Sequence, residues 1–146
     1  MDMTRTSTTA SPAQVWGALI DIDSWPRWTK SMTSVERLDD GPLRVGSRAR
    51  LAQPKMRPLI WQVTELTEKS GFTWQTYNLG VTTTGIHRLI ADGTGTIIEL
   101  GVQHAGALAW LIRLLSKPTD GYPELEAAGL KAAAEAAATD GADRQS

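Results

Sequence analysis

Histidine is the residue type in this sequence best suited to acid–base chemistry, and the chain has two histidines, His87 and His104. An imidazole titrates near neutral pH, so His87 could act as a general acid or base, or bind a ligand carbonyl. The other interpretation is a core imidazole that is hydrogen-bonded to a neighbour. His104 is predicted on the same strand face but about 20 Å away, which is too far for both rings to bind one metal ion.

Three further side chains are candidates for chemistry, namely Glu65, Thr83 and Tyr122. Glu65 falls on the predicted buried face, where an unpaired carboxylate is costly, so a position at the rim of the sheet is favoured over a general base. Tyr122 lies near a predicted helix kink, where it could donate to a ligand or be a half-exposed helix residue. The chain has no cysteine, and we predict no metal site and no cofactor.

Six tryptophans against one phenylalanine and two tyrosines are the unusual feature of the composition. Tryptophan fills a large volume and carries one hydrogen-bond donor, which suits a core and an apolar ligand site equally well. The aromatic rings could stack on a flat ligand, pack on helix leucines, or do both. We predict a ligand cavity lined by the following residues: Trp61, Val63, Phe72, Trp74, Thr76, Thr83, Gly85, His87, Ile98, Leu100, Leu111, Leu115 and Tyr122.

The dipeptide Asp92-Gly93 predicts how the last two strands pair. It is typical of a two-residue type I′ hairpin, which pairs Ala91 with Thr94 and places His87 opposite Ile98. Side chains alternate along a strand, so every second residue of this hairpin shares the buried face. The predicted buried face carries Val81, Thr83, Gly85, His87, Leu89, Ile98, Leu100, Val102 and His104.

Two earlier turns extend this face across the neighbouring strands. A turn at Leu79-Gly80 places Trp74 opposite Gly85, where the missing side chain leaves room for the indole. A four-residue loop at 68–71 places Trp74 opposite Glu65 and puts Glu65 on the buried face. The predicted strands are 2–10, 35–40, 46–53, 59–67, 72–78, 81–91 and 94–104.

Helices are predicted near both ends of the chain. Ser11-Pro12 predicts a helix start, with serine as the N-cap and proline at the first helical position. Residues 21–29 predict a turn or second short helix that carries Trp25 and Trp28. Residues 105–139 predict a long C-terminal helix, which the Asp140-Gly141 dipeptide ends.

The long C-terminal helix has two features of its own. Its first half carries an apolar stripe at helical spacing, formed by Leu108, Leu111, Ile112 and Leu115. Pro118 and Pro123 each lack an amide hydrogen, so a kink or break is predicted within 117–123. Residues 140–146 are expected to be a frayed tail.

The composition predicts a single domain, 1–146, that is large enough to bury a core. A net charge of −1 predicts no binding surface for nucleic acid. The polar N-terminus carries no apolar signal segment, and no apolar run reaches the length of a membrane span. A cytoplasmic protein is therefore expected, and its oligomeric state stays open.

The order of the predicted elements and several short segments together carry a family resemblance. The segments are SPAQVW (11–16), DIDSWPRW (21–28), GSRA (46–49), Trp61 with Val63 and Glu65, Phe72 with Trp74, GIHRL (85–89), Gly95-Thr96 and LEAAGLK (125–131). From about residue 4 to 138 the chain resembles the SRPBCC superfamily of START domains, birch-pollen allergens and polyketide cyclase/dehydrase proteins. The bacterial polyketide cyclase-like branch is the most similar. The resemblance implies an α+β helix-grip fold, in which a curved seven-stranded antiparallel sheet wraps a long C-terminal helix over a ligand cavity.

Three functions are open at this point. The leading hypothesis is binding of a small hydrophobic molecule, whether aromatic, polyketide-like or lipid-like, which an apolar cavity would favour. The second is a polyketide cyclase or aromatase, for which the resemblance implies catalysis by a few polar groups, here His87, Thr83, Tyr122 or Glu65. Polar groups around His87 would favour this second hypothesis. The third is an accessory module with a filled core and no cavity.

Overall fold

A computed structural model describes residues 2–30, 32–54, 57–106 and 122–145 of the chain. In the last of these ranges, the side chains of residues 125–136 are described. The elements follow in the order β1 (Asp2–Thr8), α1 (Pro12–Ile20), a short 3₁₀ helix (Ile22–Ser24), α2 (Trp25–Trp28), β2 (Ser34–Arg37), β3 (Arg48–Ala52), β4 (Leu59–Thr67), β5 (Gly71–Asn78), β6 (Val81–Asp92), β7 (Gly95–Ala105) and α3 (Tyr122–Gln145).

The strands form one open antiparallel sheet in the order β1-β7-β6-β5-β4-β3-β2. Successive strands from β2 to β7 pair as hairpin neighbours, and β1 completes the sheet by pairing with β7. α3 packs against β1, β7 and α1, so the core lies between the inner face of the sheet and the helices. The predicted α+β helix-grip fold with a seven-stranded sheet is confirmed.

The predicted start of α1 is confirmed in its details. The side-chain oxygen of Ser11 accepts a hydrogen bond from the Gln14 amide at 3.3 Å, and the Gln14 side chain accepts one from the Ser11 amide at 2.9 Å. This reciprocal capping box satisfies two amides that the first helical turn leaves free. The indole nitrogen of Trp25 then donates to the Leu19 carbonyl at 2.9 Å, which holds α2 against the end of α1.

The predicted pairing of β5 with β6 is correct. Trp74 lies opposite Gly85 and Phe72 lies opposite His87. The turn between the strands has positive φ at both central residues, 52° at Leu79 and 79° at Gly80. A type I′ hairpin turn requires positive φ at both central positions. The backbone twist of this turn type matches the twist of the flanking strands.

The predicted pairing of β6 with β7 is wrong by two residues. Asp92 pairs with Gly95, so the turn is Gly93-Thr94 and His87 lies opposite Leu100. Gly93 has a φ of 61°, and a glycine in the first central position is the pattern of a type II′ turn. A shift of two residues preserves the alternation of side chains, so the predicted buried face of this hairpin is unchanged.

The predicted loop between β4 and β5 is also wrong. Thr67 pairs with Gly71, which leaves a three-residue loop, and the pairing shifts between Val63 and Glu65. This irregularity turns Leu66 partly inward and leaves Glu65 exposed, which avoids the cost of burying a carboxylate. Glu65 is therefore not on the buried face, where the sequence placed it.

The C-terminal helix differs from the prediction at both ends. Ala105 belongs to β7, and α3 continues to Gln145 through the predicted stop at Asp140-Gly141. An internal glycine costs a helix only about 1 kcal/mol relative to alanine, so it does not end a helix by itself. The predicted apolar stripe at Leu108, Leu111, Ile112 and Leu115 lies outside the described residues, as do residues 117–121 of the predicted kink.

One face of α3 is buried through Ala127, Leu130 and Ala134, which recur at helical spacing. Gly129 lies against α2, where a Cβ atom would overlap the carbonyl oxygen of Trp28. A small residue at this position therefore lets the two helices approach closely. Among the described residues, no helix is long and apolar enough to cross a membrane.

Candidate functional site

A cavity of about 130 Å³ lies between the inner face of the sheet and the helices. Strands β3 to β7 contribute most of its lining, α2 contributes Trp25 and α3 contributes Glu126. The described lining residues are Trp25, Met32, Leu51, Gln53, Leu59, Trp61, Trp74, Thr76, Thr83, Gly85, Ile86, His87, Leu100, Gly101, Val102, His104 and Glu126.

The structure brings together many of the residues that the sequence assigned to a cavity. Those that line it are Trp61, Trp74, Thr76, Thr83, Gly85, His87 and Leu100. Val63, Phe72 and Ile98 are buried in the core beside it and are not part of its lining. Phe72 is covered by the rings of Trp25 and His87, whose centroids lie 6.2 and 4.3 Å from its own.

The remaining predicted site residues are not part of the described cavity. Glu65 is exposed and is not among the described residues that line this cavity, which corrects its predicted position. Leu111, Leu115 and the side chain of Tyr122 lie outside what the structure describes.

Several lining residues were missed by the sequence analysis. Leu59 precedes Trp61 at the two-residue spacing of a strand face, and Leu51 follows the buried Ala49 at the same spacing. That alternation is a signal that could have placed both leucines on the inner face. Trp25 has no such signal, because its position depends on how α2 docks over the sheet.

His87 is the most enclosed ionisable group of the cavity. Its Nδ1 lies 3.1 Å from the carbonyl oxygen of Phe72, and its ring stacks on the Phe72 ring. Burial lowers the pKa of His87 from 6.5 to about 4, against a smaller rise caused by the hydrogen bond to Phe72. The imidazole is therefore neutral at neutral pH. A carbonyl oxygen can only accept a hydrogen bond, so Nδ1 carries the proton.

Trp74 reaches the cavity because Gly85 lies opposite it. A Cβ atom built at Gly85 would lie 2.7 Å from Nε1 and 2.8 Å from Cδ1 of the Trp74 indole. The Trp74 ring also packs 5.5 Å from the ring of Trp61 and edge-on to His87 at 5.7 Å. Glycine at position 85 thus allows the indole nitrogen of Trp74 to lie directly over the sheet.

Gly85→Ala is expected to lower the free energy of unfolding by about 1–3 kcal/mol, because the new methyl group must displace a packed indole. Urea denaturation followed by circular dichroism measures this loss. Gly17→Ala is the matched control, since nothing lies within 4 Å of a Cβ at that helical position. Alanine there is expected to stabilise α1 by up to about 1 kcal/mol. Equal effects of the two substitutions would contradict the steric role of Gly85.

The second histidine lies at the other end of the cavity. His104 pairs with Thr83, and its Nδ1 lies 3.0 Å from the Thr83 hydroxyl oxygen. Thr83 and His87 are four residues apart on β6, about 13 Å at strand spacing, which replaces the predicted 20 Å. The hydroxyl of Thr76 donates to the Ile60 carbonyl at 2.7 Å and is thereby satisfied within the sheet.

The charges around the cavity are few. Among its described lining residues, Glu126 is the sole carboxylate, and none is a lysine or arginine. Within the described ranges, no three histidine, aspartate or glutamate side chains come together as ligands of a metal ion. The described lining therefore offers aromatic and aliphatic surface with a few hydrogen-bonding groups, and no cation that would pair with an anionic ligand.

Comparison with protein families finds one model that matches residues 1–143, that of polyketide cyclase / dehydrase and lipid transport proteins. No curated protein matches the sequence closely enough to be counted as a relative.

Solved structures of the same fold include three that illustrate its range. TTHA0849 from Thermus thermophilus is 18% identical with a TM-score of 0.73, over 92% of this chain and 97% of that one. Ara h 8.0201 is 13% identical with a TM-score of 0.63, over 95% and 97% of the two chains. The di-domain ARO/CYC StfQ from the steffimycin biosynthetic pathway is 12% identical with a TM-score of 0.65, over 93% of this chain and 45% of StfQ. At these identities the likeness shows the fold alone.

Proposed function

The chain belongs to the polyketide cyclase / dehydrase and lipid transport family of the SRPBCC superfamily, and we propose that it binds a small uncharged hydrophobic molecule in the cavity. The observation that carries this proposal is a cavity between sheet and helices lined by three indoles and several aliphatic side chains. Apolar pockets with a few convergent polar groups are the usual sites of small-molecule binding. A protein with a filled core would have no such space.

The size of the cavity bounds the part of the ligand that it holds. Its volume is about 130 Å³, and an apolar cavity of roughly 150 Å³ in another protein stays dry and binds benzene. The cavity therefore suits about one six-membered ring. A larger aromatic or lipid-like molecule would place one ring or one short chain segment here.

Toluene titration tests the proposal directly. We expect saturable binding with a Kd of about 0.1–1 mM, the range that about −4 to −5.5 kcal/mol of binding free energy gives. Ligand-observed NMR measures it. Val102→Trp, which places an indole at a cavity-lining position, should abolish binding, whereas Gln103→Trp on the exposed outer face of β7 should not. Equal toluene affinity in both variants, or no saturable binding by the unaltered protein, would refute the proposal.

A cyclase-type enzyme is the second candidate, and the observation that favours it is that His87, Thr83 and His104 all line the cavity. General bases work best when their pKa lies near the working pH. The pKa of His87 is about 4 because of burial, so His87 is a weak base at neutral pH. This argues for binding as the primary role, with His87 as a hydrogen-bonding group and not as a proton acceptor in a reaction.

A further inference from the structure

His87 and Trp74 present two complementary hydrogen-bonding groups to the cavity. The N–H at Nδ1 of His87 donates a hydrogen bond to the Phe72 carbonyl, so the neutral ring has a bare Nε2 that can only accept. Nε2 has no hydrogen-bond partner among the described residues. Because the ring is held between Phe72 and the edge of Trp74, it cannot turn freely to exchange its two nitrogens.

The indole of Trp74 supplies the donor. Its Nε1 has no hydrogen-bond partner among the described residues either. Trp74 lines the cavity beside Gly85, and its Nε1 is not among the sealed side-chain nitrogens that lack a partner in this part of the chain, which are Nε1 of Trp28 and Nε of Arg37. Trp74 and His87 are diagonal neighbours on the inner face, with ring centroids 5.7 Å apart at 81°.

A hydroxyl group on an aromatic ring matches this pair. One hydroxyl can donate to Nε2 of His87 and accept from Nε1 of Trp74, which satisfies both groups at once. A carboxylate has no hydrogen to donate, so it cannot form a hydrogen bond with the bare Nε2. The described lining also has no lysine or arginine to pair with its charge. An ether offers an acceptor to Trp74 but leaves His87 unpaired, and a buried polar group without a partner is costly.

We propose, building on the function proposed above, that the cavity selects an uncharged phenolic ring, whose hydroxyl bridges Nε2 of His87 and Nε1 of Trp74. The hydrogen bonds to His87 and Trp74 distinguish between similar rings, which apolar contacts alone do not do. Ring size and apolar surface determine whether a molecule enters, and the hydroxyl determines which of several similar rings binds most tightly.

The test compares four probes of one ring each, namely phenol, anisole, toluene and benzoate, by competition in ligand-observed NMR at pH 7. We expect phenol to bind about tenfold more tightly than anisole, since two hydrogen bonds are formed in one complex and only one in the other. Benzoate should not bind measurably. In His87→Phe, which keeps a ring but removes the acceptor, the phenol-to-anisole ratio of affinities should fall toward one.

Trp74→Phe provides an independent variant, because it removes the donor that both phenol and anisole use and keeps an aromatic ring. It should lower the phenol-to-toluene ratio of affinities, since toluene has no acceptor, and leave the phenol-to-anisole ratio near tenfold. Thr84→Val on β6, whose hydroxyl bonds the exposed Gln75 side chain, should leave both ratios unchanged. Circular dichroism confirms that each variant is folded. Toluene binding with equal or weaker phenol affinity in the unaltered protein would refute the phenol inference and leave the binding function standing. Failure of all four probes would refute both.

Discussion

Replacing Trp25 by alanine is expected to lower the free energy of unfolding by about 3–5 kcal/mol, the range measured when large buried aromatics are truncated. Trp25 is 1% exposed, although it belongs to a helix of four residues. Its ring packs against Trp28, Phe72, Trp74 and His87 at centroid distances of 5.2–6.2 Å. Its indole donates to the Leu19 carbonyl, which would lose its partner. Trp25 thus connects α1, α2 and the cavity lining.

Urea denaturation at pH 7, followed by circular dichroism, measures the loss. Trp25→Phe keeps an aromatic ring but removes the donor, so it should lower the free energy of unfolding by about 1–2 kcal/mol. The difference between the two variants distinguishes the contribution of the hydrogen bond from that of ring packing. Tyr77→Ala is the control, because Tyr77 is 73% exposed and surface substitutions usually change stability by no more than about 0.5 kcal/mol. A loss below about 1 kcal/mol in Trp25→Ala would show that α2 can detach without disturbing the core.

The period of a β-strand explains which parts of the site could be predicted. The β6–β7 pairing was wrong by two residues, yet His87 and Leu100 were still assigned correctly to the inner face because two residues is one full period. The β4–β5 loop was wrong by one residue, and an error of one residue moves a side chain to the other face. Glu65 was misplaced for this reason, whereas the irregularity before it restores Val63 to the inner face.

Long-range docking is what the sequence could not reveal. Trp25 lines the cavity because a short helix folds back over β5 and β6, and no periodic pattern encodes that contact. Gly129 is a weak helix former when judged by the sequence alone, but it lies against the backbone of Trp28. In both cases a contact with a residue more than thirty positions away in the chain explains the residue type. Local helix and strand propensities contain no information about such contacts.

Acid is expected to destabilise the protein through His87, and this is the second large effect. An unfolded histidine titrates near 6.5, whereas burial holds the pKa of His87 at about 4 in the folded protein. Between these values the unfolded chain binds a proton that the folded protein does not, so stability is full above pH 6.5 and falls as the pH drops toward 4. Each tenfold difference in proton affinity corresponds to about 1.4 kcal/mol, so between pH 7 and pH 4.5 the loss from this one group is about 2.5 kcal/mol.

His87→Phe isolates that contribution, because the rings in contact with His87 are those of Trp25, Phe72 and Trp74, and none of these titrates in acid. Urea denaturation at pH 7 and pH 4.5 gives the free energy of unfolding of both proteins. Carboxylates also titrate in this range, but their contribution is common to both proteins and cancels in the comparison. The variant should lose about 2.5 kcal/mol less than the unaltered protein on acidification. Equal losses of unfolding free energy in the two proteins would mean that His87 is protonated in the folded state at pH 4.5. Its Nε2 would then be a donor at that pH, and it could not accept the hydrogen bond of a phenol.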